Sequence, residues 1–170
     1  AEVLSTTTLF PAGGRWSIEN FIGVFQKTEF AGKMVNSFFI AVSATLICIV
    51  VSSMAGYALA RFRGKAFKGF AALLFLMQMF PGMLLLIPMF VLFSRYGMVN
   101  SPQSLVIYYA AANLSFNIMM IRSFFETIPL ELEEAAKVDG CTNFEVFLRI
   151  VLPVSGPGMA TVGIMTFLNC

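Results

Sequence analysis

The stretch NSFFIAVSATLICIVVSSMAGYALA, Asn36–Ala60, followed at once by RFRGKAFK, Arg61–Lys68, decides the architecture. The first part has no charged residue before Arg61. A membrane-crossing helix needs about 20 apolar residues, so this run is long enough. Ser43, Ala44, Ser52, Ser53, Ala55 and Gly56 punctuate it, and such small side chains let a second helix approach closely. The second part holds Arg61, Arg63, Lys65 and Lys68 without an anion. Cations of this density beside a span belong on the cytoplasmic side, which orients the chain.

Composition agrees with a lipid solvent. The 170 residues are 58% hydrophobic and 12% charged, with 19 Phe and 11 Met, whereas a soluble domain carries roughly 25% charged residues. A net charge of +2 gives no reason to expect nucleic acid as a partner. Histidine is absent, which removes His triads, His metal ligands and the usual general base. Cys48, Cys141 and Cys170 have neither disulfide-framework nor zinc-site spacing. No catalytic, cofactor or metal site is expected.

Before the first span, residues 1–35 are mixed and polar, and an extracytoplasmic segment is expected there. Ser17 can cap a short amphipathic helix, Ile18–Phe25, with Ile18, Phe21, Ile22 and Phe25 on one face. Trp16 suits the membrane interface. After the basic loop, Gly69–Phe93 reads as a second span (residues 69–93). It is interrupted by Pro81-Gly82 and Pro88, which remove backbone hydrogen bonds and kink or break a helix. Broken backbone survives in a membrane only under protein or against a water-lined cavity. Pro81 and Gly82 are therefore candidates to line a translocation path, or else mark a kinked packing helix.

Ser94–Gln103 is a short polar connection, outside by alternation. Ser104–Phe125 is the third span, with Asn113, Ser115 and Asn117 near its middle. Amides are costly in lipid unless partnered. Asn113 and Asn117, at i and i+4, share one face. That face is a candidate lining for a polar solute or a set of interhelical hydrogen bonds. A fourth span starts at Pro153 and runs to Cys170.

Thr127–Arg149 is the only polar stretch after the third span, so it is cytoplasmic. Pro129 suits a helix start, with Glu131, Glu133 and Glu134 near the positive end of the helix dipole. Ala135 and Ala136 keep that helix narrow, so that a partner can approach, and Gly140 can stop it in a left-handed conformation. Thr142 and Glu145 form a capping box for a second helix. Phe144, Phe147, Leu148 and Val151 recur at i, i+3, i+4 and i+7, an apolar face expected to anchor that helix on the bundle. Two short helices joined at Gly140 and carried on rigid spans can pass rigid-body motion between a soluble motor and the membrane.

Glu134-Ala135-Ala136, three residues, Gly140, nine residues, then Ile150-Val151-Leu152-Pro153 is similar to the EAA loop of ABC-importer permeases at every fixed position. Asp139 and Ile128-Pro129 also resemble that family. Asn36-Ser37, Gly56–Gly64, Gln78–Pro81 and Ile87–Phe90 resemble the maltose-type carbohydrate permeases within it. The resemblance implies an all-α, polytopic helical bundle of the type I importer fold in the bacterial inner membrane. It implies a sugar moved by alternating access, driven by separate cytoplasmic ABC ATPase subunits. It places Glu134, Ala135, Ala136, Asp139 and Gly140 at the ATPase contact. It further implies a second permease subunit and an extracytoplasmic sugar-binding protein as partners. Members carry more spans than are read here, so the first span and a C-terminal part are expected to be missing.

No Gly-x-x-x-x-Gly-Lys-Ser/Thr loop is present, so ATP hydrolysis is expected in a partner chain. A permease for an amino acid, phosphate or polyamine would carry the same loop. An ion-coupled transporter would show ionisable residues inside its spans, and a membrane enzyme would show paired intramembrane carboxylates. Asn36–Ala60 and Gly69–Phe93 hold none.

Overall fold

The computed structural model describes residues 30–80 and 82–170. The expected helix Ile18–Phe25, Trp16 and Pro81 lie outside them. Compact units are formed by Ala1–Ser37 and Phe38–Cys170, and the second carries every element described below except the start of the first helix. Its described residues are helices and their connections, with no strand among them.

Helix α1 is Phe30–Arg61, six residues longer at its start than the apolar run suggested. Helix α2, Lys65–Gln78, starts beyond an extended Gly64, and α3 is Gly82–Arg95 with Pro88 inside it. The expected second span is thus two helices of 14 residues each, about 21 Å apiece at the α-helical rise and too short to cross alone. Helix α4 is Pro102–Glu126, with Pro102 in its first turn and Ser101 accepting a hydrogen bond from the Ser104 backbone N–H. Among the described residues two helices, α1 and α4, are each long and apolar enough to cross a membrane.

Helix α5 is Leu130–Val138. Helix α6 runs Asn143–Val154 and meets α7, Gly156–Leu168, at a 75° bend. The expected fourth span, from Pro153 to Cys170, takes in only the last two residues of α6 and the whole of α7. Over Phe147–Val151, α6 is a π-helix, whose wider turn shifts the side-chain register. The shift alters the anchoring face: Val146, Phe147 and Val151 are buried, while Phe144 and Leu148 stay exposed. A strict 3.6-residue period had put Phe144 and Leu148 on the bundle.

Helix α4 is the hub. Gly56 brings α1 against it so closely that a Cβ there would lie 3.0 Å from the Ile121 side chain, 3.1 Å from the Arg122 N and 3.3 Å from the Ile118 O. Any side chain would push the two backbones apart. On other faces α4 meets α2, α3 and α7. The main core joins Tyr57, Ile121, Phe125, Ile128, Ala136, Val146, Phe147, Val151 and Val162, so the long apolar helices and the α5 segment share one apolar cluster. Outward-facing Phe75, Leu76, Ile87 and Phe90 are exposed on α2 and α3, as an apolar surround permits.

Candidate functional site: the α5 loop and its seat

The loop Thr127–Cys141 is built by short-range chemistry. Pro129, at φ −57° and ψ 135°, turns the chain into α5, whose first turn holds Glu131 and Glu133 and whose last holds Lys137. Each charge opposes the partial charge at its end of the helix. Gly140 has φ +89° and open space where a Cβ would stand, so backbone conformation and not crowding calls for glycine. The Cys141 N–H donates to the Ala136 O at 3.0 Å and the Gly140 N–H to the Lys137 O at 3.1 Å. Together these are the two bonds of a Schellman C-cap.

The chain then enters α6 through the expected capping box. The Thr142 side chain accepts from the Glu145 N–H, and the Glu145 carboxylate accepts from the Thr142 N–H at 2.9 Å. The Thr142 hydroxyl also donates to that carboxylate at 2.9 Å. These bonds favour the ionised form and hold the Glu145 carboxyl below its ordinary value.

The residues of the Glu134–Gly140 motif divide between two faces. Glu134, Ala135, Asp139 and Gly140 are exposed, and Val138 is 87% exposed. Ala136 is 7% exposed and belongs to the core beside Tyr57, Phe125 and Phe147. Of the two alanines expected to admit a partner, Ala135 lies on the exposed face. The small methyl of Ala136 instead lets α5 lie close to its own bundle.

Sequence reasoning treated Glu133 as a helix-dipole charge and Arg61 as a topology signal, and missed what they build. Glu133 is 2% exposed. Its Oε1 accepts from the Arg61 Nε at 2.6 Å, and its Oε2 accepts from the Tyr57 hydroxyl at 3.1 Å. The Arg61 Nη2 also donates to the Phe125 O at 2.9 Å and the Ile128 O at 3.1 Å, at the end of α4. The signal available was spacing: Tyr57 and Arg61 lie one turn apart on α1, and Glu133 and Ala136 lie three apart on α5.

The candidate pathway residues separate as well. The Asn117 Nδ2 donates to the Thr166 Oγ1 at 2.7 Å, fully buried between α4 and α7. The Asn113 Nδ2 donates to the Tyr109 O at 2.9 Å within α4, and its Oδ1 accepts from the Asn169 Nδ2, just past the end of α7, at 3.5 Å. Ser115 sits on the opposite side, where its carbonyl accepts from the Gln78 side chain at 3.3 Å. The exposed Gly82 accepts the Tyr108 hydroxyl at 3.3 Å. Asn113 and Asn117 thus share an α4–α7 seam, while Ser115 and Gly82 face other helices. Among the described residues no group of Cys, Asp and Glu could hold a metal ion.

The described residues thus form an all-helical bundle, with two helices long and apolar enough to cross a membrane, on which a capped two-helix loop is seated. The chain belongs to the family described as "Binding-protein-dependent transport system inner membrane component", which matches residues 49–170. It is similar to the sulfoquinovosyl glycerol transport system permease protein of Agrobacterium fabrum, at 34% identity over 90% of this chain and 54% of that one. It is 38% identical to a probable ABC transporter permease protein of Bacillus subtilis, over 89% of this chain and 50% of the relative. The trehalose transport system permease protein of Mycobacterium tuberculosis is 34% identical over 89% and 56%. The chain therefore spans about half the length of the curated relatives it matches. Among solved structures, a bacterial ABC transporter involved in the import of the acidic polysaccharide alginate superposes with a TM-score of 0.70. That match is at 25% identity and covers 79% of this chain and 47% of the other.

Proposed function

We propose that this chain is part of the transmembrane permease of an ABC importer for a sugar, and that its α5 loop docks a separate ATPase. The observation that carries this reading is the α5 hairpin. Its buried side joins the bundle core, and its outer side presents Glu134, Ala135, Val138 and Asp139 to whatever lies beyond. A patch pairing an apolar centre with charges at its rim is what a specific protein contact uses. Fastening to the core lets a push on the outer side reach the spans.

In this reading residues 1–35 are extracytoplasmic and 127–150 cytoplasmic, and the protein crosses the bacterial inner membrane several times. A binding protein delivers the sugar from outside. ATP-driven closure of two ATPase subunits then rocks this permease against a second one and exchanges outward for inward access. The sugar class is supported by the relatives, two of which are named for sugar or sugar-glycerol transport.

Co-purification tests the docking. The full-length parent is expressed with candidate ABC ATPases, with and without Glu134→Arg/Gly140→Pro. An ATPase recovered with the parent and lost with the variant is the expected outcome. Equal recovery with both would refute docking at α5.

A further inference from the structure

We infer that Arg61, Glu133 and Tyr57 are positioning residues that make α5 and the cytoplasmic end of α1 move as one body. The inference deepens the docking reading and rests on it for its consequence in transport. Arg61 is the last residue of α1, and its guanidinium is 10% exposed. Through Nε and Nη2 it reaches three acceptors: Glu133 on α5, the Phe125 carbonyl in the last turn of α4, and the Ile128 carbonyl in the connection that follows. The Phe125 carbonyl already accepts the Ile128 backbone N–H at 3.2 Å, so Arg61 adds a second bond there and ties the chain leaving α4 to α5. Tyr57, one turn earlier, donates to the remaining Glu133 oxygen. The carboxylate is thus gripped at both oxygens by one face of α1.

Apolar packing resists separation but permits sliding, whereas a planar guanidinium with several fixed acceptors also sets angle and register. The aromatic surround is consistent with this role. Tyr57 and Phe147 lie 5.0 Å apart, and Tyr57 and Phe125 lie 6.1 Å apart edge to face, which keeps water from the pair. The neighbouring Arg63, Lys65 and Lys68 are exposed and have no acidic partner within salt-bridge distance among the described residues. Of the four cations that orient the loop, Arg61 alone is built into the bundle.

The test is made on the full-length protein in complex with its ATPase, with Cys48, Cys141 and Cys170 replaced by Ala. Spin labels are placed at two exposed positions, Met54→Cys on α1 and Lys137→Cys on α5, and their distance distribution is read by pulsed electron paramagnetic resonance. The parent is expected to give one narrow distribution that is the same with and without a non-hydrolysable ATP analogue. Arg61→Met leaves Glu133 buried and unpaired and risks misfolding, so the decisive variant is Arg61→Met/Glu133→Leu. An apolar replacement of a buried ion pair commonly folds. It should broaden the distribution and lower sugar moved per ATP by roughly fivefold or more, with ATP hydrolysis retained. Arg61→Lys, with its single compact ammonium, should restore part of the narrowing to an otherwise intact pair. A distribution equally narrow in the double variant, or a broad one in the parent, overturns the inference. Absence of any ATPase from the parent preparation would instead refute the docking reading, and the distance test stands without it.

Discussion

Ala135 and Ala136 are adjacent, chemically identical and part of one motif, yet the structure assigns them opposite consequences. Leu at position 136 adds three carbons to a site already filled by Tyr57, Ile121, Phe125 and Phe147. Overpacking of this kind costs about 1–3 kcal/mol. For a domain of this size, that lowers the thermal midpoint by about 2–12 °C. The Ala136 carbonyl also accepts the Cys141 N–H that closes the Schellman cap, so lifting α5 strains its terminus too. Leu at position 135 points away from the bundle and is a good helix former, so stability should stay within about 0.5 kcal/mol of the parent. If that face docks an ATPase, recovery of the ATPase should nevertheless fall. The assay is thermal unfolding of the detergent-solubilised full-length protein, with the half-buried Cys141 and Cys170 replaced by Ala, read by a thiol-reactive dye that meets the buried Cys48 only on unfolding, beside ATPase co-purification. Ala136→Leu should be the less stable protein and Ala135→Leu the poorer binder. A stable Ala136→Leu beside a destabilised Ala135→Leu would refute the assignment of faces.

Asn117→Ala should lower stability by about 0.6–2 kcal/mol, the range of interhelical hydrogen bonds in membranes, and leave the transport KM unchanged, because its amide is committed to Thr166. A raised KM at unchanged stability would make Asn117 a solute contact instead. For the capping box, the Glu145 carboxyl is held below its ordinary value of 4.5 by the Thr142 N–H and hydroxyl. A carboxyl whose folded value is depressed adds stability above its unfolded value and loses it as pH falls through the folded one. Thermal midpoints measured while acidifying through that range should fall more steeply for the parent than for Glu145→Gln, which keeps an acceptor but does not titrate. Parallel curves would show that the carboxylate contributes nothing as an ion.

Much of the bundle was legible because lipid enforces simple rules. Long apolar runs gave α1 and α4, although α1 extends back to Phe30 through residues the hydropathy pattern left as polar lead-in. Thr142, Glu145 and Gly140 announced their caps because capping depends on neighbours three residues away. The interruption in the second span was readable from Pro81-Gly82, while Pro88 is accommodated within α3. The π turn at Phe147–Val151 was missed, although Pro153 withholds the N–H that the Arg149 carbonyl would meet in a regular α-helix, and Phe144 and Leu148 lie off the core. The division of Ala135 from Ala136 was equally hidden, because a motif reports spacing and not the side of the helix that meets the bundle.

The largest gap concerned charge, and its cause is general. Counting cations around a span is a statistical argument about orientation, in which Arg61, Arg63, Lys65 and Lys68 are equivalent. Burial separates them. A carboxylate as enclosed as Glu133 costs several kcal/mol to desolvate, and it is tolerated here because two donors from α1 reach its two oxygens. Removing either partner leaves a charge with nowhere to go, whereas removing both leaves a hole that apolar groups can fill. The same arrangement makes the loop and the first span structurally interdependent. The segment through which a motor would push is therefore fixed to its helix by a contact between residues 61 and 133, far apart in sequence and invisible to any local pattern.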